Sequence, residues 1–215
     1  MKEIIVTDLT RFKNENIFCI AGIDIKTGKC IRPKPYLKRD KVEMLGIKPG
    51  TRLKGEFSCF DNIKIPHVED YHYKTLEKTE DISGKDFYRI LEKTSVTSIE
   101  SGFKVDIIGK KILEGSEPEI SIITLEATYE NIEIFRDNYG KIRVDILDSS
   151  GKEFKSLAMT DHINYEKIKT YGSTEYINGE ILASEKIYIR IGLSRLYQGA
   201  YWLQVNGIYC DINLL

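Results

Sequence analysis

Five residues near the C-terminus have the chemistry to recognise a nucleotide together: Tyr188, Arg190, Trp202, Gln204 and Asn206. Aromatic rings stack on bases, a guanidinium grips phosphate or stacks on a base, and primary amides pair with base edges. They share a surface only if both segments are strands, whose successive side chains point to opposite faces. Ile187, Ile189, Ile191 and Leu193 would then line a core and leave Tyr188 and Arg190 on the other face. In the next strand Tyr201, Leu203 and Val205 would do the same for Trp202, Gln204 and Asn206. The expected ligand surface is therefore one open sheet face. A second segment offers Arg32, Lys34 and Tyr36, interleaved with Pro33 and Pro35, which hold the chain extended and keep it out of a central strand. Charges spaced in this way can follow a phosphate backbone.

Other groupings point to different chemistry. His67, Glu69, Asp70 and His72 are of the right types to ligate a divalent metal. In an extended chain, however, His67 and Glu69 face one way and Asp70 and His72 the other, so three ligands converge only across a turn. No metal and no cofactor is therefore expected. Thr7-Asp8 and Thr160-Asp161 would be paired carboxylates if two halves pack symmetrically, although an Asp after a strand more often bonds turn amides. Nucleophile elbow, phosphate-binding loop, dinucleotide fingerprint and zinc-protease helix are all absent from the sequence. Cys19, Cys30, Cys59 and Cys210 are far apart and form no Cys-x-x-Cys pair, the pattern of reduced thiols.

The elements that must position these residues are mostly strands. Short runs of Val, Ile, Tyr, Phe and Thr are broken by Gly, Asn, Asp and Pro along 215 residues with 41% apolar content. Strands are expected at 3–7, 17–24, 29–33, 52–60, 120–127, 132–136, 142–147, 154–159, 187–194, 201–205 and 208–211. The best helix runs from Ser83 to Thr94, capped by Ser83 with Asp86 at capping-box spacing, and Phe87, Ile90 and Leu91 make its apolar stripe. It is expected to plug a barrel. Weaker helical patterns cover 165–171 and 175–184. Gly109, Gly115 and Pro118 mark a boundary, giving halves 1–112 and 113–215. Val6-Thr7-Asp8 before Ile17–Ile23 is echoed by Met159-Thr160-Asp161 before Ile187–Leu193, as a duplication would leave. The fold class is thus mainly β, a β-rich α+β chain of two OB-like Greek-key barrels in tandem with few short helices.

Several stretches carry a family resemblance: Val6–Phe12, Ala21–Asp24 leading to Cys30-Ile31-Arg32-Pro33, Pro66–Tyr71, Arg190–Arg195 and Trp202–Tyr209. Together they resemble the prokaryotic dual-OB domain family over nearly the whole chain. That resemblance implies two OB-like halves and, by analogy with other OB-folds, nucleic-acid binding. The formal charge of −1 argues against wholesale coating of nucleic acid, so any attraction must be local. Lys26 to Lys41 holds seven bases against Asp40 alone, whereas Glu114 to Glu133 holds six glutamates and no base. The opening Met1–Val6 patterns as a strand, and no apolar run is long enough to span a bilayer, so a cytoplasmic protein is expected. The expected function is a non-enzymatic module binding single-stranded nucleic acid or a nucleotide. The alternatives are a metal-dependent enzyme acting on nucleic acid or nucleotides, and a protein-interaction adaptor of a prokaryotic stress or defence system.

Overall fold

The computed structural model describes residues 1–211. Its first sheet is built from β1 (Lys2–Arg11), β2 (Ile17–Asp24), β3 (Cys30–Lys34), the short β4 (Leu37–Lys38), α1 (Arg39–Leu45), β5 (Thr51–Cys59) and β6 (Asp70–Asp81). The pairing runs β1-β2-β3-β6-β5 and returns to β1, antiparallel throughout except for the parallel β3–β6 pair. This is a closed five-stranded barrel. Closure depends on β1 pairing on both sides, with β5 through Lys2–Ile5 and with β2 through Ile4–Arg11. A bulge between Val6 and Asp8 bends the strand, and Ile4, Val6 and Leu9 point into the core. The extra residue moves Asp8 off the interior face that strict alternation would have given it. Gly22 leaves no room for a side chain against β1, since a Cβ there would sit 2.6 Å from the Ile5 carbonyl oxygen.

Pro33 was expected to keep its segment out of a central strand, yet it lies within β3. Pairing with β2 ends at Ile31, and from Arg32 onward β3 has a neighbour only on the β6 side. The missing amide hydrogen therefore costs no ladder bond.

The chain then passes through α2 (Gly84–Lys93), β7 (Ser95–Val96), α3 (Ile99–Phe103), β8 (Lys111–Leu113) and β9 (Ile122–Ala127). A 3₁₀ turn at Tyr129–Asn131 leads to β10 (Ile132–Arg136), β11 (Ile142–Leu147) and β12 (Glu153–Met159). Next come α4 (His162–Tyr171), α5 (Glu175–Leu182), β13 (Ile187–Leu193) and β14 (Ala200–Cys210). The second sheet has the order β10-β11-β12-β14-β13-β9-β7, with two parallel pairs, β12–β14 within the six-strand circuit and the short β7 on β9. Taking β9 and β10 as one interrupted first strand, the circuit repeats that of the first barrel, and α4 and α5 occupy the connection that holds α1. The Thr-Asp echo does not follow this repeat, because Asp8 lies in a first strand and Asp161 follows a third.

The chain leaves the first sheet at Asp81 and enters the second at Ser95, well before the glycine-marked stretch expected to divide the halves. That stretch belongs to the second half, since β8 pairs with β14 and Ile107 and Ile112 lie in its core. Ser83 does cap α2, accepting from the Asp86 amide. Phe87 and Leu91 pack with Ile5 and Tyr188 in a cluster drawn from both halves, so α2 is a wedge at their seam rather than a plug in one barrel. No helix among the described residues is long and apolar enough to cross a membrane.

Polar contacts complete the seam. Arg190 donates through Nε to Asp8 at 2.9 Å and through Nη1 to Thr124 at 2.7 Å. Glu69 accepts from the Ser121 amide and hydroxyl and from the Ile122 amide, and the Tyr209 hydroxyl donates to the Thr7 carbonyl at 2.6 Å. Breaking a buried ion pair from one side leaves the other charge uncompensated. Asp8→Ala should therefore lower stability by about 3–5 kcal/mol. The Asp8→Leu/Arg190→Met double variant should recover most of that loss, read as the urea midpoint.

Candidate functional site

A cleft of about 580 Å³ opens where the first barrel overhangs the second. Its floor is the face of the second barrel formed by β11 and β12, with Arg143 and Ala158, joined by Gln204 and Asn206 of β14. Lys141, from the β10–β11 turn, and Arg195, from the β13–β14 loop, line it as well. The first barrel supplies the remaining wall with Arg11, Phe12 and Lys13, where β1 ends, and with Arg32 and Tyr36. Every charged side chain in the lining is a base, six in all: Arg11, Lys13, Arg32, Lys141, Arg143 and Arg195.

Local contacts fix these groups. Asp137 accepts from the Tyr139 and Lys141 amides and from Arg143 Nε at 2.8 Å, which holds the turn and aims Arg143. Asn206 accepts from the Thr160 hydroxyl at 2.9 Å. Arg11 lies over the Tyr165 ring at 3.6 Å, and the Phe12 and Tyr36 rings meet at 4.7 Å between centroids. Asp70 and Asp137 neutralise part of the positive charge from outside the lining. Lys13 and Lys141 form no ion pair among the described residues, so their charge is open to a ligand.

Of the residues expected to bind, the structure brings Arg32, Tyr36, Gln204 and Asn206 into this cleft. Lys34 stands beside it, its Nζ 3.2 Å from the Tyr36 ring centroid. Trp202 is on the same strand face as Gln204 and Asn206 but outside the lining, and its indole donates to the Tyr197 carbonyl. Tyr188 and Arg190 require correction as solvent-facing groups, since each is only 1% exposed. Strand β13 is buried at all seven positions, one face in the second barrel's core and the other against the seam. Alternation separates two faces but cannot say which of two interiors each one meets. Arg11, Phe12, Lys13, Lys141, Arg143 and Arg195 were not anticipated. A signal existed in Arg11-Phe12-Lys13 and Lys141-Ile142-Arg143, two short basic runs with an apolar centre.

A family model described as "Dual OB-containing domain" matches residues 2–208. Among solved structures, the chain is similar to a murine DNA binding protein bound with double-stranded DNA, at 10% identity over 96% of this chain and 95% of that one. The TM-score is 0.36. No curated protein matches the chain.

The four residues weighed as metal ligands are each engaged by other protein groups, two of them by Arg32. Glu69 is held by Ser121 and Ile122, Asp70 bridges Arg32 and Arg195, and the His72 ring stacks on Phe60. Burial works to raise the Asp70 pKa, but Arg32 and Arg195 outweigh it and hold the carboxyl below its usual value. His67 is 8% exposed, and its Nδ1 lies 3.0 Å from Arg32 Nη2, which can only donate, so the imidazole proton is on Nε2. No group of three or more His, Cys, Asp or Glu among the described residues is placed to hold a metal.

Burial, with Arg195 and Arg32 beside it, pushes the His67 pKa down to about 3 from 6.5. The folded protein therefore keeps this ring neutral where the unfolded chain takes up a proton, and stability is lost as pH falls from 6.5 towards 3. His67→Gln should flatten that part of the stability–pH curve, measured by urea unfolding at a series of pH values.

Proposed function

We propose that this chain, which belongs to the dual OB-containing domain family, binds single-stranded nucleic acid in the basic cleft on its second barrel. The observation that carries the reading is the cleft's composition and place: it lies over the face of the second barrel's second and third strands, and its lining holds six bases, three from each half, and no acid. OB-folds bind oligonucleotides and oligosaccharides on that face and its adjoining loops. Here the two loops contribute Lys141 and Arg195.

The residue types suit a nucleotide strand better than a sugar. Bases spaced along a groove track phosphates, the Phe12 and Tyr36 rings offer π faces for stacking, and Gln204 and Asn206 offer amides for base edges. The volume is that of a small-ligand site, which admits one strand and not a duplex. With no carboxylate in the lining, the cleft favours binding over turnover. The overall charge of −1 fits local capture in a groove and not general adhesion.

Labelled single-stranded DNA and RNA oligomers should bind with an affinity that falls as salt rises. Lys13→Ala and Lys141→Ala should each reduce the slope of log K against log salt by about 0.7, the share of one phosphate contact. Phe12→Ala should cost about 1–3 kcal/mol if a base stacks there. Failure of both polymers to bind at low salt, or binding indifferent to both lysines, overturns the assignment.

A further inference from the structure

The first barrel has its own cavity, of about 570 Å³, on the seam away from the basic cleft. Its lining includes Gly28 and Lys29 from the β2–β3 loop and Ile63, Val68 and Glu69 from the β5–β6 loop, the latter being the counterpart of the β13–β14 loop at the cleft. Strand β9 of the second barrel closes it with Ile122, Ile123 and Thr124. Its chemistry differs from that of the cleft, because isoleucine and valine supply seven of the seventeen lining residues and the charges include both signs. Lys29 and Glu119 are exposed at the mouth, while Glu69 and Arg190 are buried within.

Arg190 is the unusual group here. A guanidinium carries five N–H donors. Asp8 and Thr124 accept one each, and a third reaches only the Cys30 sulfur at 3.5 Å. Burial pushes the Cys30 thiol up to about 12, so this sulfur is neutral and a weak acceptor. Two N–H groups of a fully buried cation are left without an acceptor among the described residues, and the side chain lines the cavity. Unmet donors in a buried site are costly, and an incoming acceptor relieves that cost.

We propose that this cavity binds a neutral, planar heterocycle of the nucleobase class, with acceptor atoms towards Arg190 and a donor edge towards Glu69. A second anion is disfavoured because Asp8 already balances the Arg190 charge and Glu69 adds a carboxylate to the wall. The Glu69 oxygens take two amides and one hydroxyl, so the carboxylate keeps a free lone pair. Acceptors on one edge, a donor on another and an apolar-faced ring between them match the cavity's floor, wall and lining. The site is independent of the basic cleft and does not need a phosphate.

Isoleucine-methyl NMR of the full chain, titrated separately with adenosine, guanosine, cytidine and uridine, tests this directly. At least one nucleoside should shift the Ile122 and Ile123 methyls in a saturable manner. Val96→Trp, which fills the cavity, and Ile63→Trp, which blocks its exposed mouth, should each lose those shifts. Lys13→Ala and Lys141→Ala should keep them, which separates this site from the cleft. No shift at Ile122 or Ile123 with any of the four at millimolar concentration, or shifts that persist in Ile63→Trp, would overturn the proposal.

Discussion

One buried ion pair ties the molecule together. Asp8 and Arg190 stand 182 residues apart in sequence, one in the first strand of the first barrel and one in the fourth strand of the second. Both are almost fully buried. Such a pair gains little net free energy once its desolvation is counted, but it penalises every arrangement in which the two charges fail to meet. It therefore fixes how one barrel sits on the other. The cleft and the cavity both follow from that placement, because each takes walls from both halves.

The two barrels share a strand circuit and differ in how the first strand bends to serve two neighbours. In the first barrel a single bulge bends β1, and the displaced residue is Asp8, which is how the charge comes to face the seam. In the second, a 3₁₀ turn splits the strand into β9 and β10. The same topological demand has been met by two local devices, and only the bulged one contributes a charge to the seam. A matching asymmetry separates the cleft from the cavity, the first having only bases among its charged lining residues and the second seven isoleucines and valines with charges of both signs.

How much of this could be read from the sequence follows from how many faces of each element are buried. Strand β14 was legible because one face alone is covered: Tyr201, Leu203 and Val205 are buried, and Trp202, Gln204 and Asn206 are half-exposed. Its neighbour β13 was legible as a strand but not in its outer face, since Tyr188 and Arg190 enter a second interior that has no local signature. Strand β6 was missed altogether, because Leu76 is its sole buried residue and a polar run such as Lys74–Asp81 looks like a loop. The short helix α1 was also missed, having no side-chain cap and only Val42 buried. By contrast α2 announced itself through Ser83 and the Phe87–Leu91 stripe. The cleft was half visible, because Arg32, Tyr36, Gln204 and Asn206 have suitable chemistry, whereas the short basic runs Arg11-Phe12-Lys13 and Lys141-Ile142-Arg143 are local patterns whose meeting depends on a packing between halves that neither run encodes.

The last long strand also has a temporal meaning. Tyr209 closes on the Thr7 carbonyl, and among the described residues Arg190 is the cation within salt-bridge reach of Asp8, so the outer wall of the N-terminal barrel is completed by residues 202 and 182 positions further along the chain. Until then the nascent chain carries an unneutralised carboxylate and an uncovered Ile5 on a surface that the finished protein hides. Vectorial synthesis thus leaves that surface of the first barrel uncovered until the second is made, and ribosome-bound chains ending before residue 190 should expose it to chaperones and proteases.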